Sequence, residues 1–116
     1  MNKFIFLFLS LTLSGAAKAD SIQVNDQDEF VSVIAGKTLT RPWIKIIVTA
    51  DGRIEGRGIR WDVEGTWTWK NGYFCRDLFW GGDPLGYNCQ EVQVTGESIR
   101  FTSDRGAGAS AEFRIR

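Results

Sequence analysis

Both thiols and a dense group of polar and aromatic side chains fall between Trp61 and Glu91. Arg76, Asp77, Asp83, Asn88, Gln90 and Glu91 are interleaved there with eight aromatics: Trp61, Trp67, Trp69, Tyr73, Phe74, Phe79, Trp80 and Tyr87. Cys75 and Cys89 are the only thiols, and there is no histidine anywhere. Without histidine, the usual proton shuttle near neutral pH and the commonest metal ligand are both missing. A carboxylate pair such as Asp77 and Asp83 could in principle do acid–base work, but 14 acidic residues make such a pair weakly informative. Arg76 and Asp77 are adjacent on an extended segment and point to opposite faces, so they do not form one unit. The loop Asp104-Arg105-Gly106-Ala107-Gly108 has the composition of an anion nest. It lies between two strand patterns, however, and lacks the glycine spacing of a dinucleotide fingerprint. These residues therefore imply no catalytic group, no metal and no cofactor.

The aromatics suggest binding. Tryptophan is rarely buried completely and its indole N–H seeks an acceptor. Trp67 and Trp69 alternate within one strand and read as core. Trp61, Trp80 and Tyr87 flank turns, and with Arg76 they are the candidates for an aromatic-lined mouth holding an apolar or amphipathic small molecule.

The N-terminus indicates where such a domain works. Lys3 precedes an apolar run from Phe4 to Leu13, and Ala17-Lys18-Ala19 before Asp20 has the form of a signal cleavage site. The run is about half the length a membrane span needs, so the sequence predicts a removable signal over residues 1–19, cleaved between Ala19 and Asp20, and no stable membrane anchor. One domain, 20–116, remains. Export favours the periplasm, with release to the medium as the other route. In that compartment Cys75 and Cys89 are expected to form a structural disulfide. Closing a loop of about 15 residues would contribute roughly 3 kcal/mol. The full chain carries 14 basic and 14 acidic residues. Without Lys3 and Lys18 the balance is 12 against 14, which offers no overall electrostatic footprint for nucleic acid or anionic membranes.

The elements that must position these residues follow from periodicity. Asp26 and Glu29 make a capping-box pair, Phe30, Val33 and Ile34 recur at helical spacing, and Gly36 stops the helix. Beyond it the period becomes two. Ile44, Ile46 and Val48 alternate with Lys45, Ile47 and Thr49, and Asp51-Gly52 predicts a two-residue hairpin turn into Arg53–Ile59. Gly56 and Gly58 share the face of Ile54, where a bulky neighbour, a tryptophan, is expected to approach. Asn71-Gly72 predicts a second hairpin, between Gly65–Lys70 and Tyr73–Trp80. Gly81 to Pro84 breaks that pattern, and Tyr87–Thr95, Ile99–Thr102 and Ala111–Ile115 follow. The expected fold is mainly β: one short N-terminal helix with seven or eight antiparallel strands, closed as a small up-and-down barrel or half-barrel. A two-sheet β-sandwich is the alternative. A monomer is expected.

The strings Gly36-Lys37-Thr38-Leu39, Asp51-Gly52-Arg53-Ile54-Glu55-Gly56, Gly65-Thr66-Trp67-Thr68-Trp69, Gly72-Tyr73-Phe74-Cys75-Arg76, Tyr87-Asn88-Cys89-Gln90 and Arg100 to Gly108 resemble a family of short exported proteobacterial proteins. Its members often carry the label dihydrodipicolinate reductase. The resemblance spans nearly the whole chain after residue 19 and carries no catalytic residue with it. A reductase of that name has a Rossmann half and a histidine in its active site, whereas this sequence has neither histidine nor a Gly-x-Gly-x-x-Gly after a first strand. By pattern, the Gly-x-Trp strand, the cysteine pair and the meander are similar to calycin-type small barrels. Three functions follow in order: a periplasmic module binding a small apolar or amphipathic ligand, an envelope protein that binds or inhibits another protein, and, distantly, the reductase.

Overall fold

The computed structural model describes residues 20–116; the expected signal lies outside the described residues. The chain runs β1 (Ser21–Gln23), α1 (Gln27–Ile34), β2 (Leu39–Arg41), β3 (Ile44–Val48), β4 (Arg53–Gly58), β5 (Trp61–Lys70), β6 (Tyr73–Trp80), β7 (Asp83–Thr95), β8 (Ser98–Thr102) and β9 (Ser110–Ile115). From β2 to β9 each strand pairs antiparallel with the next, and β9 returns to β2 through Leu39↔Ile115 and Thr40↔Arg114. The result is a closed eight-stranded up-and-down barrel, because one continuous sheet meets its own first strand. A sandwich would need two separate sheets.

Alternation decides which side chains enter the barrel. Ile46 and Val48 of β3, Ile54 of β4, Trp67 and Trp69 of β5, Phe74 of β6, Val92 of β7, Ile99 and Phe101 of β8 and Phe113 of β9 all pack in one core. Helix α1 plugs one end. Asp26 caps it by accepting from the Glu29 N–H at 2.8 Å, while the Glu29 carboxylate accepts from the Asn25 N–H at 2.8 Å. Phe30 and Ile34 are fully buried. The Phe30 ring lies 5.1 Å from that of Trp67, 5.2 Å from Trp69 and 5.0 Å from Phe74, so this one side chain fills the lumen below the helix. Burial of such a ring stabilises by about 2–3 kcal/mol and fixes a helix too short to persist alone.

Glycines let the wall curve sharply. A Cβ on Gly56 would collide with the Lys45 carbonyl and the Ile46 backbone across the β3–β4 seam. On Gly58 it would meet the Trp80 indole at 3.1 Å, so the bulky neighbour at Gly58 is a tryptophan while that at Gly56 is backbone.

Several local details differ from the sequence-based expectation; β5 begins at Trp61, before the expected Gly65. Strands β1 and β2 span three residues each, too few for a period to show in the sequence. β1 pairs with the second half of β7, Ser21↔Thr95, continuing the line of β6 beyond the Asn71-Gly72 turn. The Asp51-Gly52 turn is a three-residue loop, Ala50 to Gly52, closed by the Thr49 N–H on the Arg53 carbonyl at 2.9 Å. Gly52 takes φ +99°, the left-handed position that such loops require. Pro84 does not interrupt β7. A register shift at Leu78/Phe79 lets it sit opposite Phe79, where a bulge tolerates the missing N–H.

Candidate functional site

The two ends of the barrel differ. Helix α1 closes the end that carries the β3–β4, β5–β6 and β7–β8 turns. The opposite end carries the β2–β3, β4–β5 and β6–β7 turns and the long β8–β9 connection. Towards that open end β7 parts from β8, since their pairing covers only Glu91–Thr95 against Ser98–Thr102. The first half of β7 pairs with β6 alone. The gap on its other side is spanned by side chains: the Asn88 amide donates to the Asp104 carboxylate at 2.8 Å, the Asp104 N–H donates to the Asn88 side-chain oxygen at 2.9 Å, and the Gln90 amide donates to Ser103 Oγ at 3.1 Å.

Behind that seam lies a cavity of about 140 Å³ inside the barrel. Its walls are the aliphatic side chains of β3 and β4, Leu78 and Ala111, and the rings of Phe74, Phe101 and Phe113; Arg76 and Gln90 are its only polar lining side chains. Two larger hollows, about 490 and 590 Å³, are open grooves on the outer wall of β4, β5 and β6. The interior space is the more apolar site, walled by aliphatic and aromatic side chains, and two polar groups converge on it.

Arg76 is the unusual member. It faces inward with Phe74 and Leu78, paired across β5 with Trp67 and across β7 with Asn88. Its Nη1 donates to the Gly86 carbonyl at 2.6 Å. No carboxylate among the described residues lies within 4 Å of it, whereas Arg53, Arg57, Arg100 and Arg114 all have such partners. Burial lowers its pKa below the usual guanidinium value, and the Asp77 charge on the other face pulls it part of the way back. A guanidinium is not neutralised by shifts of this kind, so the cavity wall carries a fixed positive charge. A second one stands nearby: Arg41, at the open end of β2, holds its Cζ 5.7 Å from the centre of the Phe113 ring that lines the cavity.

The structure separates the four binding candidates. Arg76 lines the cavity. Trp80 faces inward at the open end, where its indole N–H donates to the Gly58 carbonyl at 2.9 Å and the Trp61 ring packs edge-on against it at 5.3 Å. Trp61 stands at the rim, above the outer groove. Tyr87 is 57% exposed on the outside of β7, its hydroxyl 3.6 Å from the Cys89 sulfur. Gln90 of β7, and Phe101 and Phe113 on β8 and β9 beyond the aromatic cluster, complete the site. Their parity was readable, but which strands close on β6 was not.

Cys75 and Cys89 sit directly opposite each other on β6 and β7 and are disulfide-bonded. The bridge lies on the outer face, one residue from Arg76, and ties together the two strands that position it. Among the described residues no helix is long and apolar enough to cross a membrane, and no group of three or more His, Cys, Asp or Glu side chains could hold a metal ion. No family model, curated protein or solved structure matches the chain.

Proposed function

We propose that the chain is a non-catalytic binding module, exported to the periplasm, that holds a small amphipathic anion inside its barrel. The apolar body occupies the cavity and the anionic head pairs with Arg76. The carrying observation is the charge on Arg76 in an apolar-walled cavity with no carboxylate partner among the described residues. Arg76 is half-buried, and partial desolvation of a guanidinium costs free energy that an ion pair offsets; carboxylate is the group its planar fork fits best. Size narrows the ligand further. A space of 140 Å³ resembles cavities of about 150 Å³ that take up a benzene-sized molecule, so the fit is an aromatic or short branched acid and not a long acyl chain. The disulfide supports export, since such bridges persist in oxidising compartments.

Native mass spectrometry of the protein purified from its own periplasm tests this reading. An added mass that leaves on denaturation, and falls by tenfold or more in occupancy in Arg76→Met, is the expected result. A bare wild-type protein that also fails to take up benzoate in titration calorimetry would overturn it. The denatured mass checks removal of residues 1–19 in the same run. A second reading, an envelope protein that binds another protein, is favoured by Leu85 and Tyr87, both exposed on the half of β7 that only β6 pairs. Crosslinking in cells followed by purification would then recover one specific envelope partner.

A further inference from the structure

Two turns at the open end place the wrong kind of residue at their tips. Between β2 and β3 the loop is Pro42-Trp43, and Trp43 takes φ +71°. Between β4 and β5 the loop is Ile59-Arg60, and Ile59 takes φ +60°. With Pro first and positive φ second, the first is a position where hairpins ordinarily place Gly; the second, with positive φ at the first loop residue, is another. A tryptophan and a β-branched isoleucine are among the poorest residues for that conformation. Neither is buried in compensation: Trp43 is 82% exposed and Ile59 is 59% exposed. The Ile59 N–H donates to the Trp43 carbonyl at 2.7 Å, so the two tips are fastened together as one apolar point.

The surroundings of that point are basic. A groove of about 250 Å³ beside the tips is lined by Trp43, Ile44 and Ile59 together with Arg41, Lys45 and Arg57, and by no acidic residue. Arg57 is paired with Asp62 at 3.0 Å. Arg41, Lys45 and the tip residue Arg60 have no carboxylate within 4 Å among the described residues. An exposed tryptophan and isoleucine inside a collar of cations match the layered chemistry of a bilayer surface, with apolar chains beneath anionic headgroups. Asp62, which pairs with Arg57, and Glu64 line the neighbouring groove that Arg60 shares, so the cations left without a carboxylate partner are Arg41, Lys45 and Arg60.

We infer that the Trp43–Ile59 point docks the barrel, open end first, on an anionic phospholipid surface. The two apolar tips enter the interfacial layer and Arg41, Lys45 and Arg60 meet lipid phosphates. Docking of this kind is shallow and reversible.

Flotation with phosphatidylcholine vesicles and with mixed phosphatidylcholine–phosphatidylglycerol vesicles tests it, comparing the purified protein with Trp43→Gly, Ile59→Gly and Arg60→Gln. All four share one N-terminus, so any contribution from that segment cancels. The wild type is expected to float with the mixed vesicles only, less so as salt rises, with a blue-shifted tryptophan emission. Each Gly variant should bind roughly tenfold more weakly and Arg60→Gln roughly fivefold. The Gly variants relieve the left-handed strain, so their melting temperature should be unchanged or raised by up to roughly 4 °C. If either Gly variant proves unstable, Trp43→Asn, which tolerates the same φ, replaces it. Equal binding to both vesicle types, no binding to either, or Gly variants that bind like the wild type would each overturn the inference. So would a wild-type protein that dimerises through this point in sedimentation, which would make it a contact between copies of the chain.

Discussion

Trp67 and Trp69 are neighbours on the inner face of β5, yet their indoles are treated differently. Trp67 donates to the Thr49 carbonyl at 2.9 Å and so ties β5 to the β3–β4 loop. The Trp69 N–H is buried with no acceptor among the described residues. Removing a bonded donor leaves a carbonyl short of its partner, whereas removing an orphaned one relieves a desolvation penalty. Trp67→Phe is therefore expected to lower unfolding free energy by about 2–3 kcal/mol. Trp69→Phe should cost about 1 kcal/mol or less, or stabilise slightly, because only lost ring area opposes the gain. Urea denaturation of the two variants compares them directly, and equal losses would contradict this account.

At the scale of elements, β6 and β7 carry the site and the disulfide together. The Cys75–Cys89 bridge joins strands that are already paired in register, and its contribution acts chiefly on the unfolded chain. Reduction should leave the barrel folded but less stable by about 3 kcal/mol, read as a lower urea midpoint at unchanged far-ultraviolet circular dichroism. The pairing was legible from sequence because two cysteines in a chain expected to be exported have one simple use. The helix, the Asn71-Gly72 hairpin and the strand alternation were legible for local reasons: a cap, a turn dipeptide and a period. Arg76 was legible as a binding candidate, while its inward direction follows from the register that sets it opposite Trp67. The closed barrel was expected, but which strands close it was not legible, since β2 offers three residues with no periodic signal, and β2 is where β9 docks. For that reason Phe101 and Phe113 could not be assigned to the same space as Arg76. Tyr87 lies one step out of phase with Asn88 and Gln90, opposite Asp77, and alternation alone puts it outside the barrel.

Across the whole molecule, one space inside the barrel remains unfilled, behind the seam where β7 parts from β8. Phe30 packs the helix end and the Trp80–Trp61 pair stands at the open end, and the space lies between these two aromatic groups. Interiors of this kind normally pack to near-crystal density, and a void of 140 Å³ costs stability that larger side chains could recover. Ala111 is the smallest side chain on its wall, opposite Phe101 of β8. Ala111→Leu adds three carbons where space exists, which favours filling over overpacking. If the space serves only the fold, this substitution should stabilise by about 0.5–2 kcal/mol and change nothing else. If it serves a ligand, the same gain should come with loss of the bound anion, while Arg76→Met loses the anion without the gain. Scanning calorimetry and native mass spectrometry on the two variants separate the cases. A stabilised Ala111→Leu protein that retains its ligand would place binding outside the barrel.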